Sequence, residues 1–173
     1  MIIGEDKMDQ LTTINNNNLP ENGDETKIVE VTYQYIVIRL GDEQYGIDIS
    51  YVNNIVRMQH ITRVPKVSNY IKGVINLRGE VLPVISLRLK MGLDEDQFDK
   101  ATRIIILKTE NEGQIGVLVD EVKEVVTLAE KSIEKVSHDS KNEKANFLSG
   151  VGKNNGELIS ILDLNVITLE DNA

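Results

Sequence analysis

From residue 33 onward the chain is a succession of short runs rich in Ile and Val, each interrupted by Gly, Asp or Asn. The first five runs fall near Tyr33–Leu40, Gln44–Ile49, Asn53–Met58, Gly73–Leu77 and Glu80–Ile85. Five more fall near Thr102–Thr109, Gly113–Val119, Lys123–Leu128, Leu148–Lys153 and Glu157–Leu162. Period-two alternation is clearest at Tyr35, Val37 and Arg39 and at Gln44, Gly46 and Asp48, which predicts strands. Gly41-Asp42, Glu112-Gly113, Arg78-Gly79 and Asn155-Gly156 supply turn chemistry, the last a strong hairpin signal. After each fifth run a short helix is predicted, near Ser86–Met91 and Asp163–Thr168, with Ser86 and Asp163 as N-caps.

The two sets of runs are copies. Tyr70–Leu87 aligns with Phe147–Leu164 without a gap, and Gly73/Gly150, Val74/Val151, Gly79/Gly156, Glu80/Glu157 and Leu87/Leu164 are identical at an offset of 77. Tyr45–Val52 parallels Ile115–Val122 at an offset of 70, and the difference fits an insertion in the polar stretch Ser137–Asn146. Five short strands that must remove their edges predict a small closed barrel, and the duplication predicts two in tandem. The expected division is a disordered acidic tail at 1–26, a first barrel from 27–92 together with part of 157–168, a second barrel from 93–168, and a C-terminal tail at 169–173.

Composition supports β structure. Aromatic residues are 4% of the chain and Trp is absent, so Ile, Val and Leu must fill the core. The absence of Cys excludes disulfides, thiolate nucleophiles and Cys-based zinc sites. No apolar stretch is long enough to cross a membrane, and the opening Met1-Ile2-Ile3-Gly4-Glu5-Asp6 lacks the pattern of a signal peptide, so the cytoplasm is the expected location. More than half of the net charge of −9 comes from residues 1–26, where Glu5, Asp6, Asp9, Glu21, Asp24 and Glu25 face Lys7 alone. That tail, with its run Asn15–Asn18, has no core-forming pattern. An acidic chain without a basic aromatic face is not expected to bind nucleic acid.

Candidate chemistry is sparse. His60 and His138 lie far apart in polar surroundings and read as surface residues. Asp94-Glu95-Asp96-Gln97-Phe98-Asp99 begins like a calcium loop, but Asp99 occupies the glycine position and Ile105 that of the closing glutamate, so a solvated linker is expected. Gly150-Val151-Gly152-Lys153 lacks the ending of a phosphate loop and sits in a predicted strand. No catalytic residue, cofactor or metal site is expected. Arg78 is the position that stands out. It aligns with Asn155, a residue suited to the left-handed conformation of a two-residue turn, whereas Arg is not. Either Arg78 takes another turn type or it is kept as an exposed interface anchor with five donors.

These residues resemble the CheW family of chemotaxis coupling proteins. The resemblance rests on Tyr35–Ile49, on Ile61-Thr62-Arg63-Val64-Pro65, on Gly73-Val74-Ile75-Asn76-Leu77-Arg78-Gly79 with Val81–Ile85, and on Val117–Val122 with Asp163-Leu164. It covers about residues 33 to 168 and implies an all-β fold of two tandem SH3-like five-stranded barrels. Members bridge methyl-accepting receptors and the regulatory domain of the histidine kinase CheA, so the resemblance implies a non-catalytic adaptor recruited to membrane receptor arrays without inserting in the membrane. By motif match it assigns Arg78, Asn76, Leu77, Ile85 and Leu87 to a receptor interface and Val52, Asn54 and Ile55 to a kinase interface. Asn54 departs from the glutamate often found there. A regulatory module of a larger CheA- or CheV-type protein would share these motifs; Met1 and the end at Ala173 favour a stand-alone adaptor. A small-ligand-binding barrel is the reading from a different class, and it would need a pocket at a barrel mouth.

Overall fold

The computed structural model describes residues 28–109, 113–138 and 141–169. The expected tail at 1–26 and all but Leu169 of the tail at 169–173 lie outside the described residues. The elements are β1 (Thr32–Leu40), β2 (Glu43–Asp48), β3 (Val52–Arg57), β4 (Ile71–Leu77), β5 (Glu80–Ser86), α1 (Leu87–Lys90), β6 (Arg103–Thr109), β7 (Gly113–Val119), β8 (Glu121–Ala129), β9 (Glu134–Lys135), β10 (Leu148–Asn154), β11 (Glu157–Leu162) and α2 (Leu164–Thr168). All ten predicted strands and both short helices are present, and β9 is an addition. Ser86 Oγ accepts from the Leu89 amide at 3.1 Å, and Asp163 Oδ1 accepts from the Asn165 amide at 3.1 Å, so both predicted N-caps hold.

The strands form a six-stranded sheet in the order β8-β1-β2-β11-β10-β9 and a five-stranded sheet in the order β3-β6-β7-β5-β4. Replacing each strand by its counterpart in the other copy turns the second order into the first five strands of the first. The repeat is therefore real at the level of topology. The expected domain boundaries are not. Each sheet takes the first two strands of one copy and the remaining strands of the other, so neither 27–92 with part of 157–168 nor 93–168 is a unit, although β11 within 157–168 does pair with β2. The cause is local. After β2 a 3₁₀ turn at Ile49–Tyr51, capped by Asp48 accepting from the Ser50 amide at 2.9 Å, carries the chain into the other sheet. At the matching point Asp120 separates β7 from β8 and does the same. A hydrophobic pattern reports which face of a strand is buried, not which sheet buries it.

The irregularities are duplicated as well. Asn53 in β3 and Lys123 in β8 are the extra residues of equivalent bulges, as are Lys72 in β4 and Ser149 in β10. Beside the second pair, Thr62 bridges Val74 and Glu134 pairs with Val151, so in each copy a returning segment lies against the bulged strand. Gly73 marks the closest approach. It has a φ of 140°, and a Cβ there would stand 2.1 Å from the Thr62 carbonyl oxygen.

Three clusters of buried side chains hold the fold. Tyr35, Val37, Val126, Leu128, Ile159 and Ile161 come only from the six-stranded sheet, which curls around them. Ile75, Leu82, Val84, Ile104, Ile106 and Leu118 do the same within the five-stranded sheet. Between the sheets lies a larger shared core, with Ile36, Ile38 and Ile47 from one side and Ile85, Ile105, Leu107 and Val117 from the other. This explains why Tyr35–Ile38 and Ile104–Leu107 are unbroken apolar runs: both faces of β1 and β6 are buried.

A polar clasp joins the sheets. Asp120 accepts from the Arg88 guanidinium at 2.6 and 2.8 Å and from the Gly41 amide at 2.8 Å, linking the segment after β5 to the β1–β2 turn. Arg39 adds a contact to Glu121 at 3.0 Å and donates to the Gly41 carbonyl at 2.8 Å. Burial alone would raise the Asp120 carboxyl, but the Arg88 guanidinium and the Gly41 amide outweigh it and hold the group below its ordinary value.

Candidate protein-docking surfaces

Arg78 and Gly79 connect β4 to β5 with φ of 51° and 88°, and Asn155 and Gly156 connect β10 to β11 with φ of 50° and 83°. Positive φ at both central positions is the two-residue hairpin turn whose twist matches the strands. Arg78 therefore occupies the left-handed position that its partner fills with Asn, and the alternative turn types are excluded. Asn76 Oδ1 accepts from the Gly79 amide at 3.0 Å and braces the turn. Arg78 is exposed and makes no ion pair among the described residues.

The hairpin forms one wall of a shallow depression of about 260 Å³ lined by Asn53, Asn54, Leu77, Arg78, Glu80 and Gln114. A second, of about 480 Å³, continues from Glu80 and Gln114 to Val81, Leu82, Pro83 and Gly113. Together they make one end of the five-stranded sheet a continuous surface, with a polar rim at Asn53, Asn54, Arg78, Glu80 and Gln114 and exposed apolar Val81 and Pro83 to one side. Asn54, expected on one interface, thus sits on the same rim as Leu77 and Arg78, expected on the other. Asn54 Oδ1 accepts from the Ile55 amide at 2.8 Å. Val52 is half-buried against the shared core, and Ile55 is 37% exposed.

Two expected residues are misplaced. Ile85 is 3% exposed and Leu87 fully buried, and both belong to the shared core. Near the end of β5 Ile85 is in register with Val117, and Leu87 opens α1 facing the shared core, so neither side chain can touch a partner in this conformation. Val81, Pro83 and Gln114 were missed. A signal for the first two was available: Leu82 and Val84 point inward, so strict alternation turns Val81 and Pro83 outward.

A model of the CheW-like domain matches residues 34–171. The chain belongs to the CheW-like domain family. Similar relatives include a chemotaxis protein CheW of Helicobacter pylori, 37% identical over 82% of this chain and 85% of the relative. Another is the CheW of Bacillus subtilis, 34% identical over 82% of this chain and 90% of the relative. Among solved structures, the scaffolding protein CheW of Thermoanaerobacter tengcongensis is 33% identical, with a TM-score of 0.72 over 80% of this chain and 94% of that one. The two-sheet, all-β architecture is thus a CheW fold, and the Asn76-Leu77-Arg78-Gly79 hairpin lies within the matched region. No described helix is long and apolar enough to cross a membrane.

Proposed function

We propose that the protein is a non-catalytic scaffold that couples the cytoplasmic tips of methyl-accepting chemotaxis receptors to the regulatory domain of the histidine kinase CheA. It would act in the cytoplasm, recruited to receptor arrays at the membrane. The observation that carries this reading is the braced, left-handed, exposed Arg78 above a shallow, largely polar depression that adjoins exposed Val81 and Pro83. Such geometry suits a protein partner, with Arg as the charge-assisted anchor and Leu77 as its apolar neighbour. The CheW relatives and the scaffolding CheW structure support the same role. In this scheme Arg78, Asn76 and Leu77 face the receptor, while Val52, Asn54 and Ile55 face the kinase. Ile85 and Leu87 contribute by anchoring the end of β5 and the start of α1 in the shared core.

The test measures affinity for a receptor tip peptide bundle and for a CheA regulatory domain, with the native chain and with Arg78→Asn. Receptor binding is expected to weaken by about 1–3 kcal/mol, and kinase binding by less. Undiminished affinity for both partners would remove Arg78 from the interface. Absence of binding to either partner by the native chain would end the coupling proposal.

A further inference from the structure

The two copies differ most in the charge of one segment. From Arg57 to Lys72, between the end of β3 and the start of β4, stand Arg57, Arg63, Lys66 and Lys72 with His60 and no acidic residue. The equivalent segment, Thr127 to Ser149, carries Glu130, Glu134, Asp139 and Glu143 against Lys131, Lys135, Lys141 and Lys144. One is cationic throughout; the other is balanced. In a chain of net charge −9, an acid-free cationic stretch is a local inversion. Arg57, His60, Arg63 and Lys66 are exposed, and none of the four cations makes an ion pair among the described residues. Arg103 stands opposite Arg57 in the sheet and extends the patch.

The segment is not a loose loop. Thr62 exchanges two hydrogen bonds of 2.8 Å with Val74, and Gly73 lets it lie against β4. Exposed Val64 and Val67 lie between the charges. An ordered cationic surface with apolar spacing selects an acidic, partly apolar polypeptide. This chain contains one outside the described residues. Residues 1–27 hold Glu5, Asp6, Asp9, Glu21, Asp24 and Glu25 together with Met1, Ile2, Ile3, Met8, Leu11, Ile14 and Leu19.

We propose that the cationic β3–β4 segment is the docking surface for the chain's own acidic N-terminal segment. Reach is sufficient. Twenty-seven residues span up to about 90 Å when extended, against a diameter of about 40 Å for a fold of this size. Tethering supplies an effective concentration on the order of millimolar, so weak ionic contacts suffice. The surface lies away from the Arg78 hairpin, at the opposite end of β3 from Asn53 and Asn54. The inference therefore stands independently of the receptor–kinase reading.

Because the chain has no Cys, Asn17→Cys introduces a single attachment point for a nitroxide without altering charge. In the full-length isotope-labelled protein, amides between Arg57 and Lys72 are expected to lose about half or more of their intensity, as a tethered contact of this kind requires. The segment from Thr127 to Ser149 should be spared. The broadening should vanish in about 1 M salt, where the Debye length is about 3 Å. It should also vanish in Arg63→Glu/Lys66→Glu, whose folding is read from the undisturbed amides of the other sheet. Equal broadening of both segments, or broadening that survives charge reversal, would overturn the proposal. So would full transfer of the effect to an unlabelled second molecule in a mixed sample, which would make the contact intermolecular.

Discussion

The unit built on β3–β5 and the unit built on β8–β11 share strand order, bulges, turn geometry and even exposed apolar positions. Ile55 matches Val125, and Val81 matches Leu158, at 66% and 67% exposure. They part company where side chains meet solvent or a returning segment: Arg78 against Asn155, a cationic loop against a balanced one, a crushed Gly73 against a looser Gly150. Backbone has been kept in both copies, while chemistry has been placed in one. The residues proposed for docking lie on the β3–β5 unit, and nothing in the shared fold requires their chemistry there.

The largest test of that asymmetry is Gly73→Ala beside Gly150→Ala. The first combines a φ of 140° with a Cβ 2.1 Å from a backbone oxygen, and is expected to cost about 3 kcal/mol or more. The second meets the Ile133 Cγ2 at 2.7 Å and the Glu134 carbonyl oxygen at 2.9 Å without positive φ, and should cost about 1–2 kcal/mol. Urea unfolding of the pair reads the gap directly, and equal losses would show that the two returning segments are equally rigid.

Next in size is the clasp, which has no counterpart in the other unit, since Ser50 stands where symmetry would place a second Asp120. Asp120→Asn is expected to cost about 2 kcal/mol, lowering the melting temperature by about 4–8 °C. The sign of its pH dependence follows from the lowered folded value of the Asp120 carboxyl. The stabilisation is complete above the ordinary carboxylate value of about 3.9 and is lost as pH falls through the lower folded one. Asp120→Asn should therefore flatten part of the acid limb of the stability curve; an unchanged limb would assign acid sensitivity elsewhere.

The smallest effect is an exchange at the hairpin tips. Arg78→Asn should gain, and Asn155→Arg lose, about 0.5–1 kcal/mol, because Asn tolerates the left-handed turn better than Arg. Thermal melts of both variants would check this, and destabilisation by Arg78→Asn would make that arginine a folding residue.

Much of this was legible in the sequence. The strands, both helix caps, the duplication and the left-handed hairpin at Asn155 follow from local patterns that the structure keeps. Strand partnership did not follow, since β1 pairs with β8 across more than eighty residues and identical alternation fits either sheet. Ile85 and Leu87 were misassigned because a family motif marks a stretch, whereas burial distinguishes neighbours within it. The outward position of Val81 and Pro83 follows from the alternation already present in the run Glu80–Ile85.

The exchanged strands also order events as the chain leaves the ribosome. The five-stranded sheet has all its members once Val119 has emerged. The β1–β2 hairpin, made first, must wait for β8 on one side and β11 on the other. It presents two unpaired edges until β8 is made and one, along β2, until Leu162 is synthesised, the kind of surface that invites wrong partners. The earliest element of this protein is thus the last to be enclosed, and one of its edges stays open to misassembly until β11 has been made.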